Sequence, residues 1–431
     1  MNTDKIHIFW DKLKNSSLAR DSLWAVFGNG FGTFLLLVGG IIIARLLGKD
    51  LYGEYGVVKT TMFYIAGFAT FGLGYTSTKF VAEYLNSKKD QVKGAIWSSL
   101  LITLVTSCIM CLTLCLFATP LAYYINEPVL SSSFKYLGII IILRALSTTE
   151  NGILSGMKKF KELGINSIVS GLFLLIGGAT FTYYWSVDGS LLALLLSQLA
   201  LLILNSICIF KEMRSYPDST NTNLSYILKF SLPVSIQELS YTLSRWGATL
   251  LVTKYASIGE VGIFSAASQW GAIVLFIPGL LMNVVLSYLS DNAEENETHQ
   301  VVFRRMILVN FVSSLIPFMI VLLLSNFIAS FYGPTFHGLG LVISIIVLDT
   351  VFSSISNVYQ SDMISLGKNW TLFIFRIIRD VFIIVSLWIS LQYSHSNAAL
   401  IFAIISVVSS MLYLFLLASY KHKLFLVVRF T

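Results

Sequence analysis

The chain has 431 residues, of which 56% are hydrophobic and 12% charged, with a mean hydropathy of +0.77. Soluble domains carry about 25% charge, so an ordinary cytosolic enzyme is excluded. The net charge of +7 is spread along the chain and not gathered on one face, which argues against a nucleic-acid partner.

The first twenty residues are charged and lack a continuous apolar core, so they do not read as a cleavable signal. Ile6, Phe9, Trp10 and Leu13 recur at helical spacing among Lys5, Lys12 and Lys14, which predicts an amphipathic helix on the membrane surface over residues 1–20. Beyond it, apolar windows of about 18 or more residues recur to the end, each long enough to cross hydrocarbon as a helix. Twelve are predicted, centred near residues 34, 66, 106, 144, 174, 200, 241, 274, 318, 351, 381 and 408. The fold class is therefore an all-α polytopic membrane protein.

Lysines and arginines crowd into alternate loops: Lys79, Lys88, Lys89 and Lys93, then Lys158, Lys159 and Lys161, then Lys211, Arg214 and Lys229. The opposite loops hold only Lys49, Lys135 and Lys254. By the positive-inside rule the crowded set is cytoplasmic and so are both termini. The polar connection "KEMRSYPDSTNTNLSYILKFSLP" follows the sixth span and divides the chain. The expected organisation is a six-helix bundle over 21–210, a cytoplasmic linker over 211–229, a second bundle over 230–420 and a tail over 421–431.

Two echoes support duplication. "LYGEYGVV" at 51–58 returns as "SIGEVGIF" at 257–264, and "ILSGMKKF" at 153–160 returns as "MISLGKNW" at 363–370. The offsets are 206 and 210, at the same topological place in each half, as in transporters built from parallel repeats.

Several charges fall inside predicted spans, where each costs about 2.5–3.5 kcal/mol on insertion scales. The basic ones are Arg45, Lys59, Arg144, Arg245, Arg376 and Arg379; the acids are Glu150, Glu238, Asp349, Asp362 and Asp380. Arg245 lies roughly 20 Å into its helix at 1.5 Å per residue, on the face that carries Glu238, Tyr241 and Thr242. Guanidinium offers a planar fork for phosphate oxygens, so these six are the candidate sites for an anionic headgroup. Snorkelling or pairing with a neighbouring acid is the alternative, above all for Arg45 and Lys59 near the outer surface. Glu150 and Asp362 sit near the cytoplasmic edge and are expected to be solvated. Glu238 and Asp349 are candidate ion-coupling carboxylates, with neutralisation of Arg245 by Glu238 the competing reading.

Catalytic chemistry is not suggested. No G-x-x-x-x-G-K-[ST] loop exists, the histidines fall in loops or tails, and Cys108, Cys111, Cys115 and Cys208 show no converging metal ligands. Neither a cofactor nor a metal is expected. Gly28, Gly32, Gly39 and Gly40 suit close helix packing or a hinge in the first span, and Pro278 and Pro317 mark bending points.

An arginine closing the first span, "RLLGKDLYGEYG" at 45–56, and the fourth-span ending "NGILSGMKKFKELGI" resemble bacterial polysaccharide-biosynthesis flippases. These are the O-antigen-repeat-unit translocases of the multidrug/oligosaccharidyl-lipid/polysaccharide (MOP) exporter superfamily. The resemblance implies two pseudo-symmetric six-helix bundles forming a V around a central cavity. It implies alternating access, and carriage of an undecaprenyl-diphosphate-linked oligosaccharide across the bacterial inner membrane. Membrane lipids, a polysaccharide polymerase and a chain-length regulator are the partners it implies. Two other functions stay open: a multidrug cation antiporter, disfavoured by so many intramembrane arginines, and a membrane-embedded glycan polymerase. The polymerase is disfavoured by outer loops as short as "WSVDGS" and "QYSHSN".

Overall fold

The computed structural model describes residues 24–218, 224–279, 285, 296–394 and 396–430. The surface helix expected over 1–20 lies outside them. Among the described residues every long element is helical: α1 (Asn29–Ala69), α2 (Leu73–Ser87), α3 (Val92–Tyr124), α4 (Leu130–Gly156), α5 (Phe160–Met213), α6 (Leu224–Tyr255), α7 (Ile258–Val274), α8 (Asn296–Ser330), α9 (Leu339–Ser365), α10 (Asn369–Tyr393) and α11 (Ala398–Phe430). Among the described residues, seven segments are long and apolar enough to cross a membrane. The chain is an all-helical, multi-pass membrane protein.

Two segments run too far for one crossing. α5 holds 54 residues but leaves helical geometry at Ser186, with φ 53° and ψ −129°. At 1.5 Å per residue such a run would reach about 80 Å, far beyond a hydrocarbon core of about 30 Å. The chain instead reverses there. Asn166 donates to Asn205 at 2.9 Å and Ser170 meets Ser197 at 2.9 Å, pairing the arms antiparallel. α1 breaks in the same way at Gly48, whose φ of 71° and ψ of 172° suit a residue with no Cβ.

That break falls within "RLLGKDLYGEYG". Helix continues on both sides of Gly48, because the remaining residues are good helix formers or pack tightly.

Contacts divide the chain into two compact units: 1–46, 61–123 and 128–242 form the first; 47–60, 124–127 and 243–431 form the second. In the first unit, α1 lies against α5 through small residues. A Cβ on Gly28 would meet the Gly164 backbone at 2.6 Å, and one on Gly39 would meet Leu175 at 3.2 Å. These first-span glycines therefore serve close approach. α2 packs on α4, where Thr78 donates to the Gly152 carbonyl at 2.9 Å.

In the second unit, the echoed segments pack on one another. Gly53 faces the Ile258 carbonyl, and Gly262 faces the Lys49 carbonyl and the Gly53 backbone.

The repeat is visible in each unit's backbone. α4 and α9 both have 27 residues. Each ends in a positive-φ residue, Lys158 at 58° and Gly367 at 70°. Each then starts the next helix from a lysine cap, Lys159 and Lys368, both with φ −87°. The closing hydrogen bonds correspond as well: Lys159 N to Leu154 O at 2.9 Å and Lys368 N to Met363 O at 2.8 Å. This register is 209, one residue short of the offset read from the letters. Hydrogen bonding, not side-chain likeness, sets the equivalence.

Candidate functional site

In the second unit, α6, α9, α10 and α11 bring polar side chains together inside apolar helices. Arg379 donates through Nε and Nη2 to Asp380 Oδ1, at 2.9 and 2.7 Å. Its guanidinium also lies 4.9 Å from the Tyr413 ring centroid, a cation–π contact. Arg376, one turn earlier on α10, donates to Gln360 Oε1 of α9 at 2.5 Å. Asp349 of α9 is set among Arg245 of α6, Ser410 of α11, Arg379 and Ser353. Ser244 ties α6 to the Asp380 carbonyl at 3.5 Å.

Three candidate arginines and one candidate coupling acid thus share one cluster. Arg376, Arg379 and Asp380 lie within about one turn of one another on α10. Arg379 and Asp380 are paired with each other, at 14% and 7% side-chain exposure. Arg376 and Arg245 remain half-buried. Arg376 adds a guanidinium bonded to the neutral amide of Gln360. The cluster can therefore attract an anion.

Arg144 belongs to the first unit. Its Nη1 donates to Gln198 Oε1 of α5 at 3.4 Å, and its guanidinium stands 5.8 Å from the Phe63 ring centroid. It heads a buried polar ladder between α4 and the two arms of α5. Asn151 accepts from Asn205 at 2.9 Å, Asn205 accepts from Asn166, and Glu150 accepts from Ser206 at 2.6 Å.

Arg45 is exposed on α1. Lys59 lies half-buried, 5.6 Å from the Tyr55 ring centroid on its own helix. The side chain of Glu238 falls outside the described residues. Arg245 lies within electrostatic reach of Asp349, an acid of another helix.

Glu150 and Asp362 depart from the expectation of solvated edge residues. Their residues are 3% and 1% exposed, because each is a hydrogen-bond partner of a neighbouring helix. The residues not anticipated from the sequence are Gln198, Gln360, Ser353 and Ser410. They are neutral and carry no insertion cost large enough to stand out.

The model of the family described as "Polysaccharide biosynthesis protein" matches residues 18–293. A protein of Shigella flexneri named for O-antigen transport is 25% identical over 173 residues, covering 39% of this chain and 41% of that protein. A solved inward-facing multidrug resistance MATE family transporter of the MOP superfamily superposes with a TM-score of 0.80 at 16% identity. That match covers 93% of this chain and 96% of the other. A MOP superfamily transporter from Pyrococcus furiosus gives a TM-score of 0.64 at 16% identity, over 95% and 97% of the two chains. The fold is that of MOP superfamily transporters.

Proposed function

We propose that the chain, which belongs to the polysaccharide biosynthesis protein family and has the fold of MOP superfamily transporters, is a transporter and not an enzyme, namely a lipid-linked oligosaccharide flippase. It moves undecaprenyl-diphosphate-linked repeat units from the cytoplasmic to the outer leaflet of the bacterial inner membrane by alternating access. Reading α1 and α5 each as two makes thirteen helices of the eleven, and taking the second arm of α1 with the short α2 as one span leaves twelve spans, arranged as two six-helix bundles in a V around a cavity. Both termini are cytoplasmic. The product feeds a polymerase and chain-length regulator for O-antigen or capsule-type polysaccharide.

The observation that carries this reading is the gathering of Arg245, Arg376 and Arg379 around one acid cluster within the membrane. A diphosphate presents compact negative charge to such a group, and guanidinium binds it bidentately. Arg144, with Gln198 and Phe63 beside it, supplies a second cation with an amide and an aromatic face suited to a sugar. Arg45 and Lys59 are weaker candidates, at the edge. Asp349, within electrostatic reach of Arg245 and Arg379, and Glu238 are the proposed coupling acids.

The test is deletion of the gene in its host, with assay of surface polymer and of lipid-linked units held in the cytoplasmic leaflet. Loss of polymer, restored by the wild type and not by Arg144→Ala with Arg245→Ala, is the expected result. Restoration by the double mutant would sink the cationic site while sparing the flippase. Fold likeness to a multidrug transporter supports a second reading, a cation antiporter. Efflux of a cationic dye without any polymer phenotype would favour it.

A further inference from the structure

α4 and α9, which correspond in the repeat, each carry a buried acid near the end, and the two acids are partnered differently. The backbone register of 209 pairs Glu150 with Tyr359, one turn before Asp362 and on the same helix face. Glu150 is 3% exposed and Asp362 1%. Asp362 meets Lys421 Nζ of α11 at 2.5 Å, and Glu150 meets Ser206 Oγ in the second arm of α5 at 2.6 Å. Each partner therefore comes from the last helix of its own half. The second half answers its acid with an ammonium, the first with a neutral hydroxyl.

Glu150 is left without a counter-charge. Among the described residues it forms no ion pair, and its Oε2 is buried with no hydrogen-bond partner. One hydroxyl does not offset the desolvation of a full charge. A proton on Oε2 would lack an acceptor, and a proton on Oε1 would leave Oε2 as it is. Protonation thus removes the charge without completing the site.

The neighbouring groups are oxygen ligands. Asn151 follows Glu150 on α4, and Asn205 precedes Ser206 on α5. Asn205 Nδ2 donates to Asn151 Oδ1, and Asn166 Nδ2 donates to Asn205 Oδ1, both at 2.9 Å. The Glu150–Ser206 and Asn151–Asn205 rungs therefore stand side by side, and each amide oxygen keeps a second lone pair. Asn151 and Ser206 are half-buried. Glu150 stands six residues before the end of α4 at Gly156, about 9 Å, so the site borders the helix end and not its middle.

Charge selects the ion. One carboxylate among neutral oxygens is balanced by a single positive charge, whereas a divalent ion would leave one charge buried and unpaired. Carboxylate and carbonyl oxygens suit hard ions over soft ones. Helices close enough for rungs of 2.6 and 2.9 Å admit a small ion.

We infer that Glu150, Ser206 and Asn151 form a binding site for one sodium ion. The ion takes in the first half the part that the Lys421 ammonium takes in the second. It clamps α4 to the second arm of α5, as Lys421 clamps α9 to α11. The site stands whatever the transporter carries.

The test uses the whole protein in detergent at about pH 8, well above the ordinary carboxylate range. Sodium chloride replaces choline chloride at constant ionic strength, so that screening stays fixed. The expected melting temperature climbs with the logarithm of sodium above half-saturation, and radiosodium binds at one ion per chain. Glu150→Gln, of nearly the same shape, should abolish both effects. Ser206→Ala removes one neutral ligand and should raise the half-saturating sodium concentration about tenfold. If Glu150→Gln does not fold, the Ser206→Ala shift decides alone. Sodium binding that survives Glu150→Gln, or a half-saturation unmoved by Ser206→Ala, overturns the inference. So does melting that follows pH in choline chloride and ignores sodium, which would put a proton on Glu150 instead.

Discussion

Gly53 lies flat against the backbone carbonyl of Ile258, leaving no space for a Cβ at position 53. Gly262 returns the contact against Lys49 and Gly53, and Gly56 sits against Ser265. The segments that echo each other in sequence therefore meet glycine to backbone. Tyr52 reinforces the contact by hydrogen-bonding Gln269, and Glu260 accepts from the Ala399 amide at 2.7 Å.

Gly53→Ala should be costly here. A methyl group would push the backbones apart, at about 1–3 kcal/mol or more for overpacking. That outweighs the roughly 0.5–1 kcal/mol that alanine gains over glycine within a helix. Gly67, with open space around its Cβ position, is the control and should accept alanine without loss. Thermal unfolding in detergent separates the two; equal melting of Gly53→Ala and wild type would refute the packing account.

The asparagine ladder predicts a second effect. Asn205 bonds both Asn166 and Asn151 at 2.9 Å, so Asn205→Leu strands two amides, of which Asn166 is buried. Each stranded group costs about 1–3 kcal/mol. The variant should melt well below wild type and fold in lower yield. An unchanged melting temperature would mean that the asparagine bonds do not hold the α5 hairpin.

Arg379 calls for care in any transport assay. Arg379→Ala leaves Asp380 charged at 7% side-chain exposure, a loss of about 3–5 kcal/mol for a broken buried pair. Adding Asp380→Ala should recover much of that stability. If export returns with the double change, Arg379 acts by positioning helices; if stability returns and export does not, the guanidinium is needed by the substrate. Wild-type stability of Arg379→Ala alone would contradict the pairing itself.

The linker gives a pH prediction. Lys93 bonds Asp218 at 2.7 Å and holds its carboxyl below the usual carboxylate range. A depressed folded-state value contributes stability above the unfolded value of about 3.9 and loses it as pH falls through the folded one. Asp218 is 98% exposed, so water and salt screen the pair. Asp218→Asn should therefore match wild type between about pH 5 and 8 in physiological salt. A clear difference there would show that the pair is shielded from water.

Much of the architecture was legible in the residues. Apolar runs announce an all-helical, multi-pass membrane protein, since hydrocarbon punishes charge and unpaired backbone wherever the chain goes. Arg245, Arg376 and Arg379 stood out for the same reason. Gln360, Gln198 and Ser410 did not, because a neutral side chain costs too little in a span to betray a role.

Sequence by itself thus determined what must lie in lipid and which charges need partners. Only the tertiary structure decided who those partners are. Arg245 lies within electrostatic reach of Asp349 across 104 positions of chain, and Asp362 is claimed at once by His299 and Lys421. The physical reason is that desolvation acts on each residue separately and is written locally, whereas pairing depends on which helix faces meet. At "RLLGKDLYGEYG" the letters read as a connector; the backbone shows helix broken once at Gly48 and glycines spent on contact with Ile258 and Gly262.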